Sequence, residues 1–229
     1  MEIIKQGYKI LTPINTEMLK NMELAARTCY KSEDKIAEGT DEKIIRMLRK
    51  KKHEAMLEFG WVHVHITTNR FVSHQIVRHR LSSFAQESQR YVNYNKKGLS
   101  FIEPLGYEDW ATPVRKSFIF ACQGAETAYN SLIEQGLRPE EARAVLPNAV
   151  KTEIHMASNI RQWRNVFNLR CSIKADPQIR ELFLPILKDF NEVLPALFED
   201  IAEKYLPEPV KEFIPEDSGI FPLPSIEEK

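Results

Sequence analysis

The chain has 229 residues, 43% of them hydrophobic and 28% charged, enough for one large domain with a substantial core. Its 32 Lys and Arg balance its 32 Asp and Glu, which argues against a whole-surface fit to nucleic acid or to an acidic membrane and leaves room for a local basic pocket. No apolar run reaches the roughly 18 residues of a bilayer span, and the opening Met1-Glu2-Ile3-Ile4-Lys5 lacks a signal-peptide pattern, so a cytoplasmic location is expected.

In chain order, residues 2–14 read as a strand closed by Pro13. Residues 16–30 read as a helix with Met18, Met22, Ala25 and Cys29 on its apolar stripe. Residues 41–52 read as a second helix whose basic end, Arg49 to Lys52, suits a helix C-terminus. From 59 to 67 the pattern has period two, with Val62, Val64 and Ile66 on one face and Trp61, His63 and His65 on the other. A helix over 70–79 and an extended stretch over 83–94 follow. Residues 110–135 form a long helix with a stripe through Val114, Phe118, Ala121, Cys122, Ala125, Tyr129 and Leu132, stopping at Gly136. A short helix at 139–145, a strand at 151–158 and a helix at 160–170 come next. A long helix over 177–203 must kink near Pro185 and Pro195. Residues 1–206 thus read as a single catalytic domain, and 207–229 as a Pro-rich arm. Strands and helices mix without a β-α-β rhythm, so the expected class is α+β, a mixed sheet with long flanking helices. No internal repeat is expected, and no G-x-G-x-x-G marks a Rossmann-type dinucleotide site.

The chemistry concentrates between residues 70 and 94. On a helix Phe71, His74, Gln75 and Arg78 share one face, and Arg78-His79-Arg80 clusters at its end. In an extended continuation Gln86, Ser88 and Arg90 point the same way. An amide, a hydroxyl and a guanidinium on one face suit a phosphorylated base, because Arg binds phosphate through paired hydrogen bonds and an amide reads a base edge. Taken alone, the basic tripeptide is an ordinary charged helix end, or part of an RNA-binding patch with Tyr91 and Tyr94 stacking bases.

The whole segment resembles the R-H-R-x-x-S-x-x-x-x-S-x-R signature of flavin-dependent thymidylate synthases, with Arg78, His79, Arg80, Ser83, Ser88 and Arg90 in every fixed position. Ala85-Gln86 stands where many members carry Asn-Glu. Upstream, His53-Glu54-Ala55 with Glu58 resembles a family segment near the flavin, with Ala55 for the usual Ser or Thr and Phe59 for a common His. Downstream, Glu141-Ala142-Arg143-Ala144-Val145-Leu146-Pro147 resembles the A-R-x-x-L-P element, and Asn159 to Arg170 resembles N-x-R-x-x-x-N-F-x-x-L-R. Arg161 and Asn165 are i, i+4 neighbours, and Arg170 lies about half a turn round the helix from Arg161, so that helix presents two faces. Without the resemblance it is an amphipathic core helix burying Trp163, Val166 and Phe167.

The resemblance implies conversion of dUMP to dTMP with 5,10-methylenetetrahydrofolate as carbon donor and NADPH-reduced FAD as hydride source, releasing tetrahydrofolate. It implies a homotetramer with active sites between subunits and neither nucleic acid nor membrane as partner. By the same resemblance His53, Ala55, Glu58, Arg78, His79, Arg80, Gln86, Asn159, Arg161 and Asn165 face FAD. Gln75, Arg78, Gln86, Glu87, Ser88, Gln89, Arg90, Arg143 and Arg170 face the nucleotide, with Arg170 as the catalytic charge stabiliser. Cys122-Gln123 superficially resembles the nucleophile site of the other thymidylate synthase class, but Cys122 sits on an apolar stripe and reads as core. Cys29, Cys122 and Cys171 are widely spaced and read as free thiols. His63, His65, His74 and His79 lack carboxylate or cysteine partners at ligand spacing, so no metal is expected. A catalytically silent nucleotide-binding relative and a nucleic-acid-binding module are the rival readings.

Overall fold

Two stretches of alternating apolar and polar residues, 61–69 and 151–159, become the centre of the molecule. The computed structural model describes residues 1–206; the Pro-rich arm expected at 207–229 lies outside them. The chain opens with β1 (Glu2–Ile4) and β2 (Gly7–Ile10), then α1 (Glu17–Tyr30) and α2 (Thr40–Lys50). After a 3-10 turn at Glu54–Phe59, β3 (Trp61–Asn69) runs directly into α3 (Arg70–Ile76). β4 (Ser82–Gln86), α4 (Tyr94–Lys97) and β5 (Ser100–Ile102) follow. Next come α5 (Thr112–Glu134), α6 (Pro139–Ala142) and β6 (Lys151–Asn159), which runs directly into α7 (Ile160–Arg170). α8 (Pro177–Val193) and α9 (Pro195–Tyr205) complete the described chain.

The main sheet is antiparallel in the order β2-β3-β6-β4, and β1 pairs in parallel with β5 in a separate two-stranded sheet. The class is α+β as expected, with the parallel and antiparallel pairings divided between two sheets. β3 and β6 pair along their whole length, from Trp61 opposite Asn159 to Asn69 opposite Lys151. Period two then puts Val62, Val64 and Ile66 with Ile154 and Met156 on one buried face. The other face, with His63, His65, Glu153 and His155, is only partly covered.

Helices fill the buried side. Trp163 and Phe167 of α7 meet Phe190 of α8 and Phe198 of α9, and the rings of Phe167 and Phe198 cross nearly edge to face at 5.7 Å. The Trp163 indole donates to the Val62 carbonyl at 3.1 Å, so its polar edge is satisfied inside the core. Trp163, Val166 and Phe167 are fully buried, as the amphipathic reading of that helix expects. A second, smaller core under α5 holds Tyr94, Leu99, Phe101, Cys122, Tyr129, Ala142 and Val150.

Local differences from the sequence expectations have local causes. α1 buries Leu19, Met22, Glu23 and Ala26, so its buried stripe is turned from the expected one and Cys29 is exposed. The expected helix over 177–203 is two helices: the chain leaves helical geometry at Leu194 (φ −128°, ψ 60°), since a residue before proline is pushed away from it, and Pro195 starts α9. Pro185 is carried inside α8. Along α5 only Cys122 and Tyr129 of the expected stripe are buried; Val114 is 52% exposed.

Both long strands end in an asparagine that caps the next helix. Asn69 Oδ1 accepts from Val72 N at 2.9 Å, and Asn159 Oδ1 accepts from Gln162 N at 2.8 Å. Two strand–Asn–helix units thus start at opposite ends of one ladder, a similarity too short and divergent to read as a sequence repeat. Replacing the buried cap, Asn69→Ala, is expected to cost about 0.5–2 kcal/mol in equilibrium denaturation, with Asn69→Ser recovering most of it. No loss in Asn69→Ala would remove the cap from the account.

Candidate active site

The C-terminal ends of α3 and α7 meet. Arg170 Nη2 donates to the Gln75 carbonyl at 2.8 Å, and Nη1 reaches Gln75 Oε1 at 3.4 Å. Arg170 Nε donates to His79 Nε2 at 3.0 Å. His79 is 4% exposed, and burial together with the Arg170 charge pushes its pKa down to about 4. The imidazole is therefore neutral near pH 7, with its proton on Nδ1. Burial also lowers the pKa of Arg170 from the usual arginine value, yet a guanidinium stays charged at any physiological pH. Among the described residues Arg170 has no carboxylate partner; its contacts are neutral acceptors. Arg78 and Arg80, on either side of His79, are exposed.

The signature segment does not stay extended. β4 ends at Gln86, and the chain turns, with Tyr91 N and Val92 N both donating to the Ser88 carbonyl. Gln86 points inward: its Nε2 donates to Ser73 Oγ at 2.8 Å and to Thr152 Oγ1 at 3.2 Å. Glu87 takes the Tyr94 hydroxyl at 3.0 Å and Lys151 at 3.2 Å. These three residues border a cavity of about 420 Å3 beside the turn. Gln89 lies within the turn, and Ser88 Oγ accepts from Arg90 N at 3.3 Å. Gln86, Ser88 and Arg90 therefore do not share one face, because β4 ends at Gln86 and Arg90 lies within the turn that opens at Ser88.

Arg90 instead reaches outward to α6, where its Nε donates to Glu140 Oε2 at 2.6 Å. Arg138 Nη1 holds the other oxygen of that carboxylate at 2.9 Å, and Arg143 Nε donates to the Glu140 carbonyl at 3.2 Å. The hydrogen bond from Arg90, with the charges of Arg138 and Arg143, holds the Glu140 carboxyl below its usual value. Arg90 and Arg143, 53 positions apart in sequence, are brought together here. Sequence reading missed Glu140: its i, i+3 relation to Arg143 is visible, its contact with Arg90 is not.

The third cluster gathers the upstream segment and the start of α7. Arg161 Nη1 donates to Glu58 Oε1 at 2.7 Å, and its Nε lies 3.7 Å from Glu54. Beside it a cavity of about 360 Å3 is lined by His53, Ala55, Met56, Arg161, Lys52 and Tyr30 among others. Tyr30 and Lys52 were not expected in this site; they come from helix ends, where a side chain's destination depends on packing. Asn159 spends its Oδ1 on the helix cap, while Asn165 is exposed next to Arg161, with Nδ2 3.4 Å from Gln162 Oε1. Arg161 and Arg170 stand at opposite ends of one helix, roughly 13 Å apart along its axis, and serve two clusters as the sequence spacing implies.

The other candidates are structural. Cys122 and Cys171 are buried, and burial pushes their thiols up to about 11 and about 12, far from a thiolate nucleophile at neutral pH. His63 Nε2 and His155 Nδ1 are 2.8 Å apart, and His65 pairs with Glu153 at 3.2 Å on the outer sheet face. Among the described residues no group of three or more His, Cys, Asp or Glu is arranged to hold a metal, and no helix is long and apolar enough to cross a membrane.

The family model described as thymidylate synthase complementing protein matches residues 12–196. A flavin-dependent thymidylate synthase from Geobacter sulfurreducens is 34% identical over 196 residues, covering 82% of this chain and 84% of the relative. One from Mycobacterium tuberculosis is 33% identical over 197 residues, covering 78% of each. Among solved structures, the UMP/dUMP methylase PolB from Streptomyces cacaoi, bound with 5-Br dUMP, superposes with a TM-score of 0.74 at 22% identity, over 90% of this chain and 98% of that one. The signature residues and the matches across most of the chain lead to one assignment: this chain belongs to the family of flavin-dependent thymidylate synthases.

Proposed function

We infer that this chain is an enzyme that converts dUMP to dTMP, taking its carbon from 5,10-methylenetetrahydrofolate and its hydride from FAD reduced by NADPH, and releasing tetrahydrofolate. The carrying observation is Arg170: a half-buried guanidinium held in a fixed plane by neutral acceptors and met by no carboxylate among the described residues. Uracil is a poor carbon nucleophile. Its C5 gains nucleophilic character as negative charge builds on the N3/O4 edge, and it is that anionic form that attacks the folate methylene. A preorganised, unneutralised cation beside that edge lowers the barrier without rearranging. Gln75 and His79 hold Arg170, while Arg78, Ser88, Arg90 and Arg143 bind the phosphate and sugar. Gln86, Glu87 and Gln89 orient the base; the side chain of Gln86 is itself fixed by Ser73 and Thr152. No protein nucleophile is needed, which agrees with the burial of the Cys122 and Cys171 thiols.

The third cluster fits a flavin dinucleotide. Its cavity combines small and apolar floor residues such as Ala55 with the Tyr30 ring, His53 and the Arg161 cation, while Asn165 is exposed nearby. Glu58 steadies Arg161, and Asn159 sets the start of its helix. Arg78 and Arg80 are exposed and supply positive charge towards the flavin; His79, expected with them, is buried and neutral and instead holds Arg170. The residues of this cluster would hold FAD, and the reduced flavin would supply the hydride that completes the methyl group. At about 360 Å3 the cavity is at the small end of ligand sites, in keeping with a site completed by another subunit of the homotetramer. Exposed apolar side chains on α5 and the sheet, such as Phe120 at 78% and Trp61 at 51%, agree with further burial on assembly.

Purified protein with FAD, NADPH, dUMP and methylenetetrahydrofolate is expected to form dTMP and tetrahydrofolate; flavin-independent release of dihydrofolate would overturn the reaction class. Light scattering is expected to give four times the 26.6 kDa chain mass, and a fully active FAD-binding monomer would exclude shared sites. Arg170→Ala is expected to slow single-turnover oxidation of the reduced enzyme by about 100- to 1000-fold while FAD occupancy survives, with Arg170→Lys recovering only part. Unchanged oxidation in folded Arg170→Ala would remove the residue from the chemistry. Cys122→Ala is expected to keep most turnover and lose about 1 kcal/mol of stability; an inactive, folded variant would restore a cysteine mechanism.

A further inference from the structure

Both oxygens of the Glu140 carboxylate are taken by guanidinium groups, Oε2 by Arg90 and Oε1 by Arg138, while Arg143 binds the same residue through its backbone carbonyl. Two arginines therefore share one acidic side chain, and a third lies against the backbone of the same residue. Guanidinium groups so disposed suit a phosphate, whose oxygens accept the same charge-assisted hydrogen bonds. The pairs are open to water: the Arg90 side chain is 58% exposed and that of Arg138 71%. Exposed ion pairs of this kind are weak and exchange readily. An incoming dianion carries more charge and more acceptor oxygens than the carboxylate it meets. It cannot share these arginines with an ionised carboxylate without strong like-charge repulsion.

We infer that Glu140 is a selectivity residue for the substrate's phosphate: its carboxylate holds Arg90 and Arg138 until the nucleotide arrives, and the phosphate displaces it. The inference rests on the reading above in which Arg90 and Arg143 bind phosphate. Glu140 thus subtracts from the affinity of every ligand that reaches these arginines. A nucleoside without phosphate gains nothing there. A dianionic phosphate overcomes the competition, and the arginines are neither left unneutralised nor filled by weaker anions in the free enzyme. The same competition acts on dTMP, which carries the same phosphate, so Glu140 also favours product release.

The test uses FAD-loaded full-length protein and calorimetric affinities for dUMP, dTMP and deoxyuridine. Glu140→Gln is expected to tighten dUMP and dTMP alike by roughly three- to tenfold, the size expected from removing two exposed charge pairs. Deoxyuridine affinity is expected to stay unchanged, and inorganic phosphate to become a stronger competitor of dUMP. Glu140→Ala is expected to do the same. Glu141→Gln removes an equal charge from the neighbouring residue, which approaches Arg138 at 3.6 Å, and is expected to leave the ratio of dUMP to deoxyuridine affinity unchanged. If Glu140→Gln leaves dUMP affinity unchanged or weakens it while Arg90→Ala still abolishes the advantage of dUMP over deoxyuridine, the displacement is wrong and Glu140 is only a support for Arg90. If Arg90→Ala also leaves that advantage intact, the phosphate reading itself fails.

Discussion

The nine-pair ladder between β3 and β6 is the constraint on which the rest depends. It buries one face of both strands, and it sets Asn69 and Asn159 at opposite ends. Each asparagine launches a helix beneath the sheet, and the two helices run until Arg170 meets Gln75 and His79. The position of that arginine is thus a property of strand register. A slip of one residue would turn Val62, Val64 and Ile66 to the outer face and carry one helix away from the other.

One helix, α7, assigns three arginines to three different tasks by their surroundings. Arg164 is buried and bidentate to Asp200, with its Nη1 also against the Leu197 carbonyl, so it ties α7 to α9. Removing Asp200 would leave a buried charge unpaired, a costly change. Arg161 is half-exposed, steadied by carboxylates at the rim of a cavity. Arg170 has burial without neutralisation. The first state serves folding; on the proposed function, the second serves ligand binding and the third transition-state charge. The residue type is the same in each; solvent access and counter-charge separate the roles.

Periodic features were legible in the sequence. The alternation at β3, the limits of α7 and its buried Trp163, Val166 and Phe167 all follow from local pattern, and so does the separation of Arg161 from Arg170. What stayed hidden depends on contacts distant in sequence. The turn after Gln86 carries no Gly or Pro, so residues 83–94 read as extended. The inward direction of Gln86 depends on Ser73 and Thr152, and the meeting of Arg90 with Glu140 spans 50 positions. The buried stripe of α1, through Leu19, Met22, Glu23 and Ala26, is set by the packing of α1 against α2 and the 3-10 turn, information that lies outside the helix.

The bond between Arg170 and His79 has one more consequence. A neutral histidine that accepts through Nε2 carries its proton on Nδ1, and the guanidinium holds it in that tautomer. The ring is thereby an internal spectroscopic probe of the arginine. Its two nitrogen resonances report whether Arg170 is docked, in the resting protein and with each ligand added, without altering either residue.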